Sequence, residues 1–357
     1  MTLKKIRVAV IYGGRSGEHD VSRMSAASIV KHLDPKEFEV IPVGISKEGH
    51  WYLNGVDVLS SPEAKTLLIK NQYSAEALAH LDPTEEKHFD VAFPITHGKL
   101  GEDGALQGAL EWADIPYVGS RVLGSAIGMD KEVAKRLAIQ AGIPVTPYVC
   151  YRLKDFDDPK ALVKKISRDY QFPLFVKPAN AGSSEGVSKV HSVEELLPAL
   201  ELAFSIDRKI LVEKAINARE IELAVLEELD DKKPPRVSHV AGEVVVDKKK
   251  DEFYSYDAKY FSPDAANVLI PADLSPALLK RFQSYAQTLF QILECEGFAR
   301  VDFFLDKDTG EILFNEVNTL PGFTEISLFP KLFEASGLPY SELLTHLITL
   351  ALLRKKV

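Results

Sequence analysis

Arg300, Asp302, Glu316 and Asn318 sit in RVDFFLDKDTGEILFNEVN (300–318), where two apolar runs flank the turn DKDTG. With Leu305 roughly opposite Glu311 in a hairpin, strand alternation puts all four on one face. Two carboxylates, an amide and a guanidinium are costly in a core, so that face must meet water or ions. Asp, Glu and Asn supply hard oxygen ligands, and Mg²⁺ commonly takes one or two carboxylates together with substrate phosphates. Arg300 beside them suits an oxyanion or a transferring phosphoryl group. A solvated, salt-bridged face would share this composition, but Phe303, Phe304, Leu305, Leu313 and Phe314 mark a hairpin that faces the interior.

Four further stretches carry chemistry. VKPANAGSSEG (176–186) places Lys177 at a strand end before a loop whose Ser183, Ser184 and flanking glycines offer N–H and hydroxyl groups to phosphate oxygens. It contains no G-x-x-x-x-G-K-[ST], and a plain surface turn can look the same. VEKAINAREIE (212–222) spaces Glu213 and Glu220 around a short connection, where carboxylates could take ribose hydroxyls or an adenine edge, or merely flank a charged linker. YGGRSGEHDVS (12–22) lies between a strand and a helix but lacks G-x-G-x-x-G, so it argues against a nicotinamide dinucleotide. Its Glu18 suits an ammonium group, or simply the dipole at the start of the helix. HGKLGEDGALQG (97–108) puts His97, Glu102 and four glycines directly after an apolar run, as a turn or a close approach to a small ligand would require.

The elements that must position these groups alternate. IRVAVIY (6–12), a helical VSRMSAASIVKHL (21–33), FEVIPVGIS (38–46), DVAFPITHG, a helical GALQGALEWA (104–113) and a short YVGS (117–120) predict an amino-terminal parallel sheet with its loops at the strands' carboxyl ends. A second unit begins near SAIGMDKEVAKRLAIQAGIPVTPYV (125–149), read as one helix stopped by Gly142 and Pro144 before a strand. It continues through a strand before the GSS loop, a helix over 192–204 and a strand over 209–214. A third unit runs from EIELAVLEE (220–228) to a packed terminal helix, SELLTHLITLALL (341–353). The boundaries expected are 1–124, 125–215 and 216–357. Residues 247–267 lack apolar periodicity, so they are expected to be either disordered or a functional lid.

Over 357 residues, 46% hydrophobic and 27% charged, the composition is that of a soluble globular protein large enough for two or three domains. A net charge of −9 argues against nucleic acid or an anionic membrane as the main partner. Only Cys150 and Cys295 occur, without CxxC, and VAVIY is too short for a signal peptide, so a cytoplasmic, reducing location is expected.

Taken together, GGRSGEHDVS, HGKLGEDGALQG, MDK (129–131), VKPANAGSSEGV, the Glu213 to Glu220 spacing, YDAKY (256–260) and RVDFF…NEVNTLPGFTEISLFP resemble the ATP-grasp ligases, specifically the D-alanine:D-alanine ligases, in order and over nearly the whole chain. The resemblance implies an α/β (α+β) ATP-grasp fold: an amino-terminal doubly wound domain followed by two ATP-grasp subdomains. It implies ATP-dependent joining of two D-alanines through a D-alanyl phosphate, for peptidoglycan precursor synthesis. Lys131 and Lys177, with the Ser183 and Ser184 loop, would hold ATP phosphates; Glu213, Lys214, Ile216 and Glu220 would hold the adenosine end. Asp302, Glu316 and Asn318 would hold two Mg²⁺ or Mn²⁺ ions, and Arg300 with the Gly322 N–H would stabilise the tetrahedral intermediate.

The same resemblance puts Glu18 on the first D-alanine's ammonium and His97, oriented by Glu102, near its carboxylate. Ser327 and Leu328 would meet the second substrate's carboxylate; Ser183 and Tyr260 would link the serine loop and the lid to Glu18, with Lys259 reaching the γ-phosphate on closure. Tyr260 favours the dipeptide over a D-alanyl-D-lactate product. A D-alanine:D-lactate ligase, another carboxylate-amine ligase, and an ATP-binding regulator that has lost its chemistry are the competing readings, the last disfavoured by the intact Arg300 and metal-ligand set. A homodimer is expected.

Overall fold

The computed structural model describes residues 4–53, 67, 89–246 and 266–354. The expected lid over 247–267, with Lys259 and Tyr260, therefore lies outside the described residues except for its last two positions.

The first sheet has the order β3 (Trp51–Leu53), β2 (Phe38–Ile45), β1 (Ile6–Gly13), β4 (Val91–Pro94), with β1 parallel to both β2 and β4. Val8 to Tyr12 are essentially inaccessible, as an apolar run in a parallel strand covered on both faces should be. Helix α1 (His19–His32) covers one face; α2 (Ala105–Trp112) supplies Leu106 and Leu110 to the other. YVGS forms no strand of its own beyond a single bridge from Tyr117 to Ala92.

The continuous helix expected from residue 125 is two helices, α3 (Val122–Met129) and α4 (Lys131–Gln140). Asp130 breaks the path with an extended backbone, and its carboxylate caps α4 by accepting from the N–H groups of Glu132 at 3.2 Å and Val133 at 3.1 Å. Lys209 holds the same carboxylate at 2.6 Å. Lys131 thereby becomes the first residue of α4. Periodicity alone could not reveal the break, because the apolar spacing runs through it.

The second sheet, β5 (Tyr148–Arg152), β8 (Lys209–Lys214), β6 (Leu174–Pro178), β7 (Ser188–Val190), is antiparallel and is backed by α5 (Pro159–Asp169) and α6 (Val193–Ile206). The third has the path β12 (Ala266–Leu269), β11 (Gly242–Val246), β9 (Ala218–Leu226), β13 (Phe298–Asp306), β14 (Ile312–Asn318), with β10 (Arg236–Val237) beside β9. On β9, Ile221, Leu223 and Val225 pack under α7 (Pro276–Ile292), with Phe282, Ala286 and Leu289 of that helix. The alternate residues Ala224 and Leu226 join α8 (Leu328–Ala335) and α9 (Tyr340–Arg354) in the core under the first sheet. Alternation on β9 leaves Glu220 and Glu222 on that second face, toward one end of the strand. No helix among the described residues is long and apolar enough to cross a membrane.

Candidate active site

A cavity of about 850 Å³ lies where the three sheets approach one another. Every residue proposed from the sequence that the structure describes lines it. Glu18, His97 and Glu102 arrive from the loops of the first sheet, and Lys131 from the start of α4. Lys177, Ser183, Ser184, Glu213, Lys214 and Ile216 belong to the second sheet and its loops; Glu220, Arg300, Asp302, Glu316, Asn318, Gly322, Ser327 and Leu328 come from the third sheet and from the loop and helix start after β14.

At one end Glu18 is nearly buried and accepts a hydrogen bond from the Ser183 hydroxyl. Ser183 and Ser184 both have left-handed backbones, φ 47° and 62°, a strained geometry that concentrates at functional loops. Gly98 answers why the HGKLGEDG turn is rich in glycine: at φ +77°, a Cβ there would stand 2.8 Å from the Glu18 carboxylate. His97 Nδ1 faces two acceptors, the Leu320 carbonyl at 3.1 Å and Glu102 Oε1 at 3.4 Å, so that nitrogen carries the proton. Burial by itself would lower the His97 pKa, but Glu102 and Glu18 outweigh it and the net shift is upward.

In the middle, Asp302 pairs across β13 with Glu316 on one side and Glu222 on the other, which sets three carboxylates in a row. Like charges directly opposite one another repel, so the row requires cations. Arg300 supplies one: its Nε is 2.8 Å from Glu222 and its Nη2 2.6 Å from Asp302. Burial would depress its pKa, but those two carboxylates hold it well above the ordinary value. Lys131 Nζ stands 3.3 Å from Glu316 and donates to the Ala181 carbonyl at 2.6 Å. Asp302 and Glu316 face each other across the hairpin, and Asn318 donates its amide N–H to Asp302 at 2.9 Å, so the two carboxylates and the Asn318 amide oxygen are the hard-oxygen groups available to a divalent ion. The predicted hairpin register was off, since Leu305 faces Ile312 rather than Glu311. A bulge between Asp302 and Phe303 absorbs the difference, and Arg300 pairs with Asn318, so the common face survives.

At the far end Lys177 Nζ lies 2.7 Å and Lys135 Nζ 3.3 Å from the two oxygens of Glu213. Burial alone would raise the Glu213 pKa; the two ammonium groups outweigh it and keep the carboxylate ionised. Beyond Gly322, Ser327 Oγ accepts from the Thr324 N–H at 2.9 Å, and a Cβ on Gly322 would come within 2.7 Å of that hydroxyl.

A family model described as the D-ala D-ala ligase N-terminus matches residues 7–120, and the corresponding C-terminus model matches residues 137–349. The chain belongs to the D-alanine–D-alanine ligase family. The ligase is 49% identical to D-alanine–D-alanine ligase A of Bradyrhizobium diazoefficiens, with 99% of this chain and 96% of that protein aligned. It is 44% identical to the D-alanine–D-alanine ligase of Caldicellulosiruptor bescii, with 98% and 96% aligned. Among solved structures it resembles the D-alanine-D-alanine ligase from Coxiella burnetii, with a TM-score of 0.80, 33% identity, and 99% and 96% of the two chains covered. It also resembles the VanG D-Ala:D-Ser ligase from Enterococcus faecalis, with a TM-score of 0.79, 36% identity, and 98% and 100% covered. These likenesses place the ligase in the ATP-grasp fold.

Sequence reading missed Glu222 and Lys135. The signal for Glu222 was present, because it alternates with Glu220 in EIELAVL and must share its face. Lys135 gave none, since a lysine one turn beyond Lys131 reads as solvated, yet it is fully buried in the ligase.

Lys135 and Gly98 each carry a measurable consequence. Burial pushes the Lys135 ammonium down to about 8, with Glu213 only partly restoring it. Between that value and 10.5 the unfolded ligase binds more protons at this residue than the folded one, so its contribution to stability rises with pH across that window. Lys135→Met is expected to remove that rise, measured as the pH dependence of urea unfolding from pH 7 to 10. Gly98→Ala is expected to push the Glu18 carboxylate aside. Losing one charge-assisted hydrogen bond corresponds to a rise of about tenfold or more in KM for the amino-acid substrate. KM for ATP should stay unchanged in the same steady-state experiment.

Proposed function

We propose that the ligase joins two D-alanine molecules into D-alanyl-D-alanine, consuming ATP through a D-alanyl phosphate, in cytoplasmic synthesis of peptidoglycan precursors. The observation that carries this reading is one cavity with the nearly buried Glu18 carboxylate at one end, Lys177 and Lys135 on Glu213 at the other, and a row of carboxylates with Arg300 between them. Relatives named for the same reaction, aligned over nearly the whole chain, support it.

In this reading Glu18 binds the first D-alanine's ammonium, and His97, held by Glu102, faces its carboxylate. Lys131, Lys177 and the Ser183–Ser184 loop align the ATP phosphates, while Glu213, Lys214, Ile216 and Glu220 hold the adenosine. Divalent ions on Asp302, Glu316 and Asn318 would supply charge neutralisation as the γ-phosphoryl group moves to a carboxylate oxygen of the first D-alanine and ADP leaves. The second D-alanine, its carboxylate at Ser327 and Leu328, attacks the acyl carbon with a neutral amine. Arg300 and the Gly322 N–H receive the developing oxyanion, and phosphate departs as the acyl C–O bond breaks, taking up the proton that the attacking amine gives off. The division at 124/125 and 215/216, the closing role of 247–267 with Lys259 and Tyr260, and a homodimer belong to the same proposal. A D-Ala:D-Ser ligase at 36% identity makes the second substrate the open choice, and Tyr260 favours D-alanine over D-lactate.

The test is phosphate release from ATP with Mg²⁺ and D-alanine, alone or with D-lactate or D-serine, at neutral and raised pH, with products identified by mass. D-alanyl-D-alanine as the dominant product supports the proposal. A depsipeptide or a D-alanyl-D-serine product would leave the chemistry standing and overturn the second-site reading. No D-alanine-dependent phosphate release would overturn the whole.

A further inference from the structure

The loop after β14 carries Gly322, and side chains from α1, α9 and the loop after β4 hold it from both sides. Ser25, fully buried on α1, accepts the Phe323 N–H at 3.2 Å and contacts His97 Nε2 at 3.1 Å. His97 Nδ1 meets the Leu320 carbonyl at 3.1 Å, so Ser25 and His97 together close a ring of contacts around Pro321 and Gly322. The other side of Phe323 is held as well: its carbonyl accepts from the Tyr340 hydroxyl at 2.8 Å, and that hydroxyl lies 3.2 Å from Ser28, one turn after Ser25. The Phe323 ring is wholly buried, edge-on to Phe93 at 5.8 Å and to Phe298 at 5.5 Å.

His97 Nδ1 faces only acceptors and bears a hydrogen in either state of the ring. Ser25 Oγ accepts from the Phe323 N–H with one lone pair and closes the contact to Nε2 either as donor to the neutral ring or as acceptor from the imidazolium that Glu102 and Glu18 favour. One hydroxyl serves both the histidine at the first substrate's end of the cavity and the peptide beside Gly322.

We propose that Ser25 is a positioning residue that locks the Gly322 loop to His97, so that the first-substrate end of the site and the oxyanion-binding N–H keep a fixed geometry. This rests on the roles proposed above for His97 and Gly322. Ser25 does not line the cavity and acts only through these two groups. Fixing a donor matters because displacement of a catalytic group by about 1 Å costs on the order of a hundredfold in rate.

The experiment compares the wild type with Ser25→Ala, Tyr340→Phe and the double variant. Steady-state kinetics in D-alanine and ATP are measured alongside hydrogen exchange of the peptide spanning 320–324 in the free protein. For Ser25→Ala, kcat is expected to fall about ten- to hundredfold with KM for ATP within about twofold, and exchange at 320–324 to speed up at least about tenfold. Tyr340→Phe should give a smaller change of the same kind, and the double variant should lose less than the product of the two, since both hold one peptide. Unchanged exchange at 320–324 in Ser25→Ala would overturn the lock whatever the activity. Unchanged kcat with faster exchange, or equal damage to every kinetic constant, would overturn the positioning role. If Ser25→Ala does not fold, Tyr340→Phe decides by the same two readouts. A wild type that does not turn over D-alanine would overturn the proposed function instead, while the exchange result still judges the lock.

Discussion

Arg300→Lys is expected to lower kcat by about 10²–10³-fold while KM for ATP stays within about threefold. The guanidinium bridges two carboxylates, Glu222 at 2.8 Å and Asp302 at 2.6 Å, with a forked geometry that a single ammonium cannot reproduce. Lysine keeps the charge, so the carboxylate row stays neutralised and the fold is preserved. What it loses is the planar, forked donor that the proposed function assigns to the oxyanion, whose charge develops only as the acyl carbon becomes tetrahedral. An interaction made only in the transition state lowers kcat and kcat/KM together, which separates this outcome from a binding defect. Initial rates of D-alanine-dependent phosphate release at saturating ATP provide the check. A change confined to KM would remove Arg300 from the oxyanion role.

The second large effect is expected at Glu316. Glu316→Gln retains the shape and the pairing with Asp302 across the hairpin but removes one charge from the proposed divalent site. Losing a few kcal/mol of phosphoryl charge neutralisation corresponds to roughly a hundredfold or more in kcat, with a higher Mg²⁺ concentration needed for half-maximal rate. Lys131, 3.3 Å from the same carboxylate, also loses its partner, so KM for ATP should rise modestly. Titrating Mg²⁺ and then Mn²⁺ at fixed ATP reads both effects. An unchanged metal requirement would take Glu316 out of the metal set. Glu222→Gln serves as the comparison, because that carboxylate contacts Arg300 and should depress kcat without moving the Mg²⁺ midpoint.

Local periodicity was enough to specify the alternation of β1, α1, β2 and β4 and the inward-facing hairpin of β13 and β14, because each side chain's face there depends only on its neighbours in the chain. Residue types also pointed to Glu18, His97, Lys177, Glu213, Arg300, Asp302 and Glu316, all of which line the cavity, since clustered glycines beside Glu18 and His97, and acids embedded among phenylalanines, are costly anywhere except at a site. Contacts between residues distant along the chain set the rest. The break at Asp130 depends on Lys209, a residue 79 positions away, holding the capping carboxylate. The bulge after Asp302 set the hairpin register, and the pairing of β9 with β13 placed Glu222 against Arg300. Lys135 looks solvated in sequence, yet Glu213 and the Phe314 carbonyl, both far from it in the chain, make a fully buried ammonium tolerable. Ser25 is legible only in three dimensions, since a hydroxyl with one hydrogen and two lone pairs acquires meaning from the partners that folding brings to it, here His97 and Phe323.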